Sequence, residues 1–276
     1  MDIPASKSAR RGHHFRRLMA RPVTLVLAGL IGVGGIAAAA AGGPIAAAIA
    51  VGVGVLILLL VVFVLAAKRA ADEFYAGYSS GRGLTWSGTR QGLPGATPLL
   101  RKGDSRYSEQ TMTGVLPGGL EGTLSLFTYE VEQTDGRGNK STSYYHFTVL
   151  LADVDGCVMQ KLYCNRKSGL RALEGAEDAF RKNRRVRLES ESFADRYELF
   201  IGPEEDENRA KRVFAPSFIV WLTSEETPEK FAFELEGRKL CVNVNRQLGT
   251  SADLDLFCQA AGRVVARFQE KATAVA

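Results

Sequence analysis

A run of 45 residues without a charged side chain, from Val23 to Ala67, constrains this chain more than any other feature. As one straight helix the run would be about 67 Å long, roughly twice the thickness of the hydrocarbon core of a bilayer. It is therefore expected to break, and Gly42, Gly43 and Pro44 are the residues where it can. Glycine accepts the backbone angles of a turn, and proline fits the first turn of a new helix.

The run divides at this membrane turn into two segments of bilayer length. Residues 23–41 and 45–67 are the predicted spans of a transmembrane hairpin that occupies residues 23–67. The first span is rich in Gly and Ala, and small residues of this kind let a second helix approach closely. An alternative is a signal peptide, with the preceding basic residues as its charged region and the alanine run as its cleavage site.

The positive charge of the chain is confined to its N-terminus. The sequence has 35 Lys and Arg against 30 Asp and Glu, a net charge of +5, and residues 1–22 hold six of the basic residues and one of the acidic ones. The remaining 29 basic and 29 acidic residues balance, so the rest of the chain lacks the basic surface that nucleic-acid binding requires. Basic residues flank both outer ends of the predicted hairpin, at the tail and at Lys68–Arg69, which predicts that both termini are cytoplasmic.

The part of the chain after the hairpin is predicted to be an α+β domain with a mainly antiparallel sheet and late peripheral helices. Residues 68–112 form a Gly- and Pro-rich connector, and residues 113–276 form the soluble domain. Alternating apolar residues predict one hairpin with a polar tip at 135–139 and a second that turns at Gly237. The apolar residues of 124–131 change phase, which indicates a bulge or burial on both faces. Three late helices are expected, with Pro203 in the first turn of one, a second restarting at Pro216, and Ser251 as the capping residue of the third.

The sequence contains no recognisable catalytic, metal-binding or cofactor-binding motif. The stretch "GGLEGT" lacks the lysine of a phosphate loop. His146 is the one histidine after the basic tail, and we expect a half-buried sheet residue with a local hydrogen bond. The four cysteines form no CxxC pair, so they are expected to be buried free thiols, with two disulfides in an exported domain as the alternative. We therefore predict no metal, no cofactor, no small-molecule ligand and no catalytic residue.

Residues 101–154 carry a series of short motifs whose order resembles the bacterial membrane family called domain of unknown function 3137. The matching residues there are Asp104, Arg106, Tyr107, Glu109, Gly114, Glu130, Thr134, Asp135 and Gly138. A C-terminal block resembles the same family at Phe193, Tyr197, Arg209, Ala215, Pro216 and Leu222. The chain departs from the family where "SE" replaces the usual "SG" after Tyr107, and where the loop between the spans is reduced to "GGP".

The resemblance implies a multi-pass protein of the bacterial cytoplasmic membrane and supplies no activity. We interpret the chain as a membrane-anchored, cytoplasm-facing interaction or scaffold module rather than an enzyme. Its expected partners are the lipid bilayer and another membrane or envelope protein. The alternatives are an enzyme of the membrane surface with an unrecognised site, or a role in lipid handling or the cell envelope. The candidate binding residues are Asp104, Arg106, Tyr107, Glu109 and Glu130.

Overall fold

The computed structural model of the chain describes residues 15, 18–19, 22–136, 138–156, 159–167 and 182–273. Most of the predicted basic tail, together with Cys157, lies outside these residues. The chain divides into two compact units, residues 1–78 and residues 79–276.

The apolar run forms one long helical segment, α1, from Pro22 to Ser80. The predicted three-residue turn is not present as a loop, because Gly42 and Pro44 are both assigned to the helix. Only Gly43 leaves the helical conformation, with φ 80° and ψ 180°. That positive φ is open to glycine at little cost, and Pro44 can follow because a residue that starts a new helical turn needs no N–H donor.

Residues on the two sides of Gly43 contact each other. A Cβ added at Gly54 would lie 2.9 Å from Cγ2 of Ile31, and a Cβ added at Gly35 would overlap Val51. Nearer the ends of the run, Leu18 is buried in one cluster with Val62 and Ala66. In a straight helix the 16 residues between positions 35 and 51 would span about 24 Å, so these contacts require the chain to change direction between them.

The segment Gly43–Ser80, with 38 residues, is the one helix among the described residues that is long and apolar enough to cross a membrane. Only 6% of its most apolar 18-residue window is buried. Large side chains such as Leu56 and Leu60 are 67% and 63% exposed, an apolar surface of the kind that proteins bury in lipid or in a partner.

The second unit contains nine strands and four helices in its described residues. The strands are β1 Thr85–Ser87, β2 Ser105–Leu116, β3 Leu120–Thr134, β4 Lys140–Asp153, β5 Lys161–Arg166, β6 Arg184–Val186, β7 Tyr197–Ile201, β8 Phe231–Glu236 and β9 Lys239–Val244. The helices are α2 Glu191–Arg196, α3 Glu207–Val213, α4 Pro216–Thr223 and α5 Ser251–Thr273, and a short 3-10 turn spans Leu99–Arg101.

All nine strands belong to one antiparallel sheet in the order β1-β2-β3-β4-β9-β8-β5-β7-β6. The two predicted hairpins are confirmed as β3–β4 and β8–β9, the second turning at Gly237 with φ 60°. The sheet begins before the predicted domain boundary at residue 113, since β1 and most of β2 lie within the predicted connector.

The change of phase in the sequence of β3 reflects burial on both faces of the strand. Residues 124–129 are buried on both faces of the strand. The pairing of β2 with β3 also shifts between Glu109 and Met112, where Gln110 has φ 53°. The irregularity therefore lies on β2, and β3 itself continues without interruption.

Each face of the sheet is covered by a different part of the chain. On one face, Phe231 contacts Phe257 of α5 with ring centroids 6.2 Å apart, and Phe233 contacts Phe268 at 6.2 Å. On the other face, Leu99 and Leu100 are buried in a cluster with the side chains of Phe127, Tyr129, Phe147, Val149, Leu151 and Cys241. Residues 92–102, which we call the strap, therefore cover part of the second face.

The late helices start close to the predicted positions, with one exception. Helix α4 begins at Pro216 as predicted, and α5 begins at Ser251, which was predicted to cap it. Thr250 is the capping residue instead, and its Oγ1 accepts a hydrogen bond from Asp253 N at 3.1 Å. The prediction for Pro203 was wrong, because α3 begins at Glu207 after Asp206, whose side chain accepts a hydrogen bond from Asn208 N at 2.9 Å. A turn closed by Glu205 N donating to Gly202 O at 3.1 Å occupies the earlier position.

Candidate functional site

The five predicted binding residues lie at neighbouring ends of β2 and β3. Asp104 precedes β2 and binds β3 twice: its N–H donates to Glu130 O at 2.8 Å, and its Oδ2 accepts from Glu132 N at 2.8 Å. Both bonds go to backbone groups, so Asp104 fastens the start of β2 to β3. Its carboxylate therefore has a structural function.

Arg106 lies on the opposite face of the sheet from Tyr107, because neighbouring strand residues alternate between faces. It pairs with Tyr129, and its Nη1 donates to Arg101 O in the strap at 3.0 Å. The five residues therefore do not converge on one pocket. Asp104 and Arg106 stabilise the local fold, whereas Tyr107, Glu109 and Glu130 share the other face.

That other face of β2, β3 and β4 carries polar and aromatic side chains in cross-strand rows. One row contains Glu130 and Tyr144, which are opposite each other on β3 and β4. The next row contains Tyr107, Thr128 and His146. We call this surface the acidic face, and its members are Tyr107, Glu109, Glu130, Glu132, Tyr144 and His146.

The acidic face is open to solvent at its outer end. Tyr144 is 55% exposed, and Glu132 and His146 are also exposed, whereas Tyr107 and Glu130 are half-buried. The expectation of a half-buried His146 was wrong, but its local hydrogen bond is present: His146 Nδ1 lies 3.0 Å from Oγ1 of the buried Thr128. The side chains lie side by side in cross-strand rows on one sheet surface.

Arg90 is a cation at the edge of this face. Its Nε lies 2.6 Å from Glu109 Oε1, and its guanidinium carbon lies 4.1 Å from the centre of the Tyr107 ring. The hydrogen bond to Glu109 raises the pKa of Arg90 above its ordinary value. Arg90 thus neutralises Glu109, while Glu130 and Glu132 keep the face negatively charged.

A buried carboxylate that sequence patterning missed lies under the strap. Glu234 on β8 is 3% exposed, and its Oε2 accepts a hydrogen bond from Leu99 N at 2.8 Å. Burial raises the pKa of Glu234, against the opposing effects of that N–H, of Thr97 and of Lys102. Burial also lowers the pKa of Lys102. The alternation of "FAFELE" places Glu234 on the face of the strand opposite the phenylalanines. From the sequence alone, that face is expected to be exposed to solvent.

The described cysteines, Cys164, Cys241 and Cys258, are buried and form no disulfide. Burial raises the pKa of Cys164 and of Cys241, which disfavours the reactive thiolate. In the part of the chain that the structure describes, no group of three or more His, Cys, Asp or Glu side chains is placed to hold a metal ion.

A shallow apolar groove of about 400 Å³ lies beside helix α4. Leu188, Phe214, Pro216, Ile219 and Val220 form its apolar lining, and Arg187, Glu189 and Lys211 also border it. Its charged residues are of both signs, and Lys211 is paired with Glu207 at 2.8 Å.

No family model matches the chain, and no curated protein matches it. One solved structure with similarity is the crystal structure of the mycobacterial trehalose monomycolate transport factor A, TtfA. The two chains are 10% identical, the TM-score is 0.45, and the match covers 73% of this chain and 94% of the other. At this identity and TM-score the likeness carries no argument about function, and the resemblance to the family of domain of unknown function 3137 stays a prediction.

Proposed function

We propose that this chain is a membrane-anchored binding domain that recognises a basic segment of another membrane or envelope protein through the acidic face. The observation that carries this proposal is the arrangement of Tyr107, Glu130 and Tyr144 on one open sheet surface. Tyrosine supplies large contact area at a small entropic cost, and carboxylates select a positively charged partner.

The geometry favours binding over catalysis. Glu109 is held by Arg90, Asp104 is held by the backbone of β3, and Arg106 is on the other face. A catalytic site needs a nucleophile or a general base aimed at a common point, usually in a concave pocket. The acidic face instead offers a mixed polar and aromatic sheet surface, as protein-binding sites do.

We further propose that α1 crosses the bacterial cytoplasmic membrane twice, with residues 23–41 and 45–67 as the two spans. Support comes from the contacts of Gly35 with Val51 and of Gly54 with Ile31, which antiparallel helices would make around a bend at Gly43. The basic flanks of the run favour a cytoplasmic location for both termini. The acidic face would then meet its partner on the cytoplasmic side.

Two labelling positions on opposite sides of the apolar run test this topology. Ser8→Cys in the tail and Val115→Cys, at a side chain that is 64% exposed, are made separately in a full chain with Cys157→Ser. Both cysteines are expected to resist an impermeant maleimide in intact cells and to react in inverted vesicles. A single crossing, or an exported domain, would place at least one of them outside and make it react in intact cells.

Charge reversal tests the acidic face. A benzoylphenylalanine at Ser105, which is exposed and opposite Glu130, is expected to form a discrete adduct in intact cells. The pair Glu130→Lys and Glu132→Lys should reduce that adduct about tenfold. Each reversal replaces an attraction of about 0.2–1 kcal/mol by a repulsion, and about 1.4 kcal/mol in total corresponds to a factor of ten.

Glu121→Lys is the control for a single charge reversal, because Glu121 is exposed on the same strand and lies outside the acidic face. The adduct should keep its intensity in this variant. An adduct that is absent, or that survives the double reversal at full intensity, would refute recognition through the acidic face.

A further inference from the structure

One edge of strand β4 pairs with no described strand over more than half of its length, and we call residues 140–147 on this side the free edge. On one side it pairs with β3 from Lys140 to Leu151. On the other side it pairs with β9 only from Thr148 to Asp153. Among the described residues, no strand pairs with that second side of residues 140–147. About half of the backbone N–H and C=O groups in this stretch point outward, because antiparallel strands direct them alternately to either side.

This edge lacks the features that usually prevent strands from pairing. Its sequence, "KSTSYYHF", contains no proline, and Lys140 is its one Lys, Arg, Asp or Glu residue. No register shift interrupts the pairing of this stretch with β3. Proteins normally protect a strand of this length with charges, proline, a bulge or a covering element. An edge that is regular, extended and rich in Ser, Thr and Tyr is a template for another strand.

We propose that the free edge of β4 pairs with the same edge of a second copy of this chain, antiparallel and with its two-fold axis at Ser143. If the two-fold axis is perpendicular to the sheet, the same face of both copies forms one continuous surface. Odd-numbered residues must then lie opposite odd-numbered residues, and even-numbered opposite even-numbered, because side chains alternate between faces along a strand. Centring on Ser143 uses residues 140–146 of both copies and stops before the positions that β9 occupies.

The pairing at this register is self-complementary. Thr142 lies opposite Tyr144 of the other copy, and Ser141 lies opposite Tyr145, so small side chains meet large ones. Lys140 lies opposite His146, and the two lysines are separated by most of the paired length. Lys140 is the one Lys, Arg, Asp or Glu residue in the stretch and does not lie opposite its own copy, so no two of these charged side chains face each other across the axis. A heterologous segment would need its own complementary pattern, whereas a second copy supplies one.

A cysteine scan in the full chain in native membranes tests the proposal. In a Cys157→Ser background, whose described native cysteines are buried, Ser141, Thr142, Ser143 and Tyr144 are replaced singly by cysteine. Residues directly opposite on antiparallel strands have Cα atoms about 4.5–5.5 Å apart, within the range of a disulfide. Mild oxidation is expected to give a disulfide-linked dimer with Ser143→Cys. The yield of linked dimer should be at least about tenfold lower with Ser141→Cys, because residue 141 of one copy would lie about 13 Å along the strands from residue 141 of the other.

Two further variants separate this inference from the proposed function. Thr142→Lys with Tyr144→Lys, added to Ser143→Cys, places like charges opposite each other and should abolish the cross-link. Glu130→Lys with Glu132→Lys changes the acidic face and leaves the β4 edge intact, so the cross-link should persist. Equal cross-linking at all four positions, none at any, or a maximum at a position other than Ser143 would overturn the proposed pairing.

Discussion

Replacing Phe233 by alanine is expected to destabilise the folded second unit by about 3–5 kcal/mol, the usual range for a fully buried phenylalanine. Phe233 is 0% exposed and lies between the helices and the sheet. Its ring stacks on Phe214 with centroids 6.2 Å apart and meets the edge of Phe268 at 6.2 Å. The substitution removes contacts with helix α5 and with Phe214, the residue after α3, at once.

Chemical denaturation of the full chain in detergent, followed by tryptophan fluorescence, measures this loss. Trp221 is 7% exposed and its ring centroid lies 6.0 Å from that of Phe231, so its emission reports on the same core. Val220→Ala is the control, because Val220 is 67% exposed and its truncation should cost less than about 0.5 kcal/mol. A Phe233→Ala midpoint equal to that of the control would show that the helices do not depend on this contact.

Glu234→Ala is expected to cost about 1–3 kcal/mol, because it leaves the buried Leu99 N–H without its acceptor. Glu234→Gln keeps an oxygen acceptor at the same position and should cost less. The same fluorescence assay distinguishes the two variants. Equal and negligible effects of both would mean that the strap is held by its apolar residues alone.

The pH dependence of the Glu234→Gln variant provides an independent test. Because burial raises the folded-state pKa of Glu234 above 4.5, the folded chain holds this proton more tightly than the unfolded chain. Its contribution to stability is complete below pH 4.5 and is lost as pH rises through the raised pKa. Lys102 has the opposite effect, because the folded chain binds its proton less tightly than the unfolded chain does. Its contribution makes stability rise with pH between the lowered pKa and 10.5. In Glu234→Gln the free energy of unfolding should therefore fall less steeply as pH rises above 4.5. A dependence on pH equal to that of the unchanged chain would contradict a buried ionisable Glu234.

The sequence predicted those parts of the fold that depend on local patterns. Alternation over β8 and β9 and the turn residue Gly237 specified a hairpin, because side-chain period and turn chemistry are both local. Pro216 marked a helix start for the same reason. The helix start predicted from Pro203 was wrong because proline fits an isolated turn as well as the first turn of a helix. The helix begins instead after the capping residue Asp206.

The candidate site was predicted only in part, since it depends on contacts between distant segments. Tyr107 and Glu130 were chosen from motif order, and strand register then placed them on one face. Arg106 lies on the opposite face because neighbouring residues of a strand point to opposite sides of the sheet. The sequence did not predict that a strand begins at Ser105, so this separation was not foreseen. Glu234 was missed because nothing local in a Gly- and Pro-rich segment shows that residues 92–102 cover it.

The order of strands in the sheet has a consequence for synthesis. The β8–β9 hairpin, formed by residues 231–244, lies between β4 and β5, which precede it in the chain and do not pair with each other. A ribosome that has released the first 230 residues has therefore made both flanks of the sheet but not its centre. Until the next segment emerges, residues 148–153 of β4 and one edge of β5 lack the strands that later pair with them, so a chaperone or rapid elongation is most valuable at this stage.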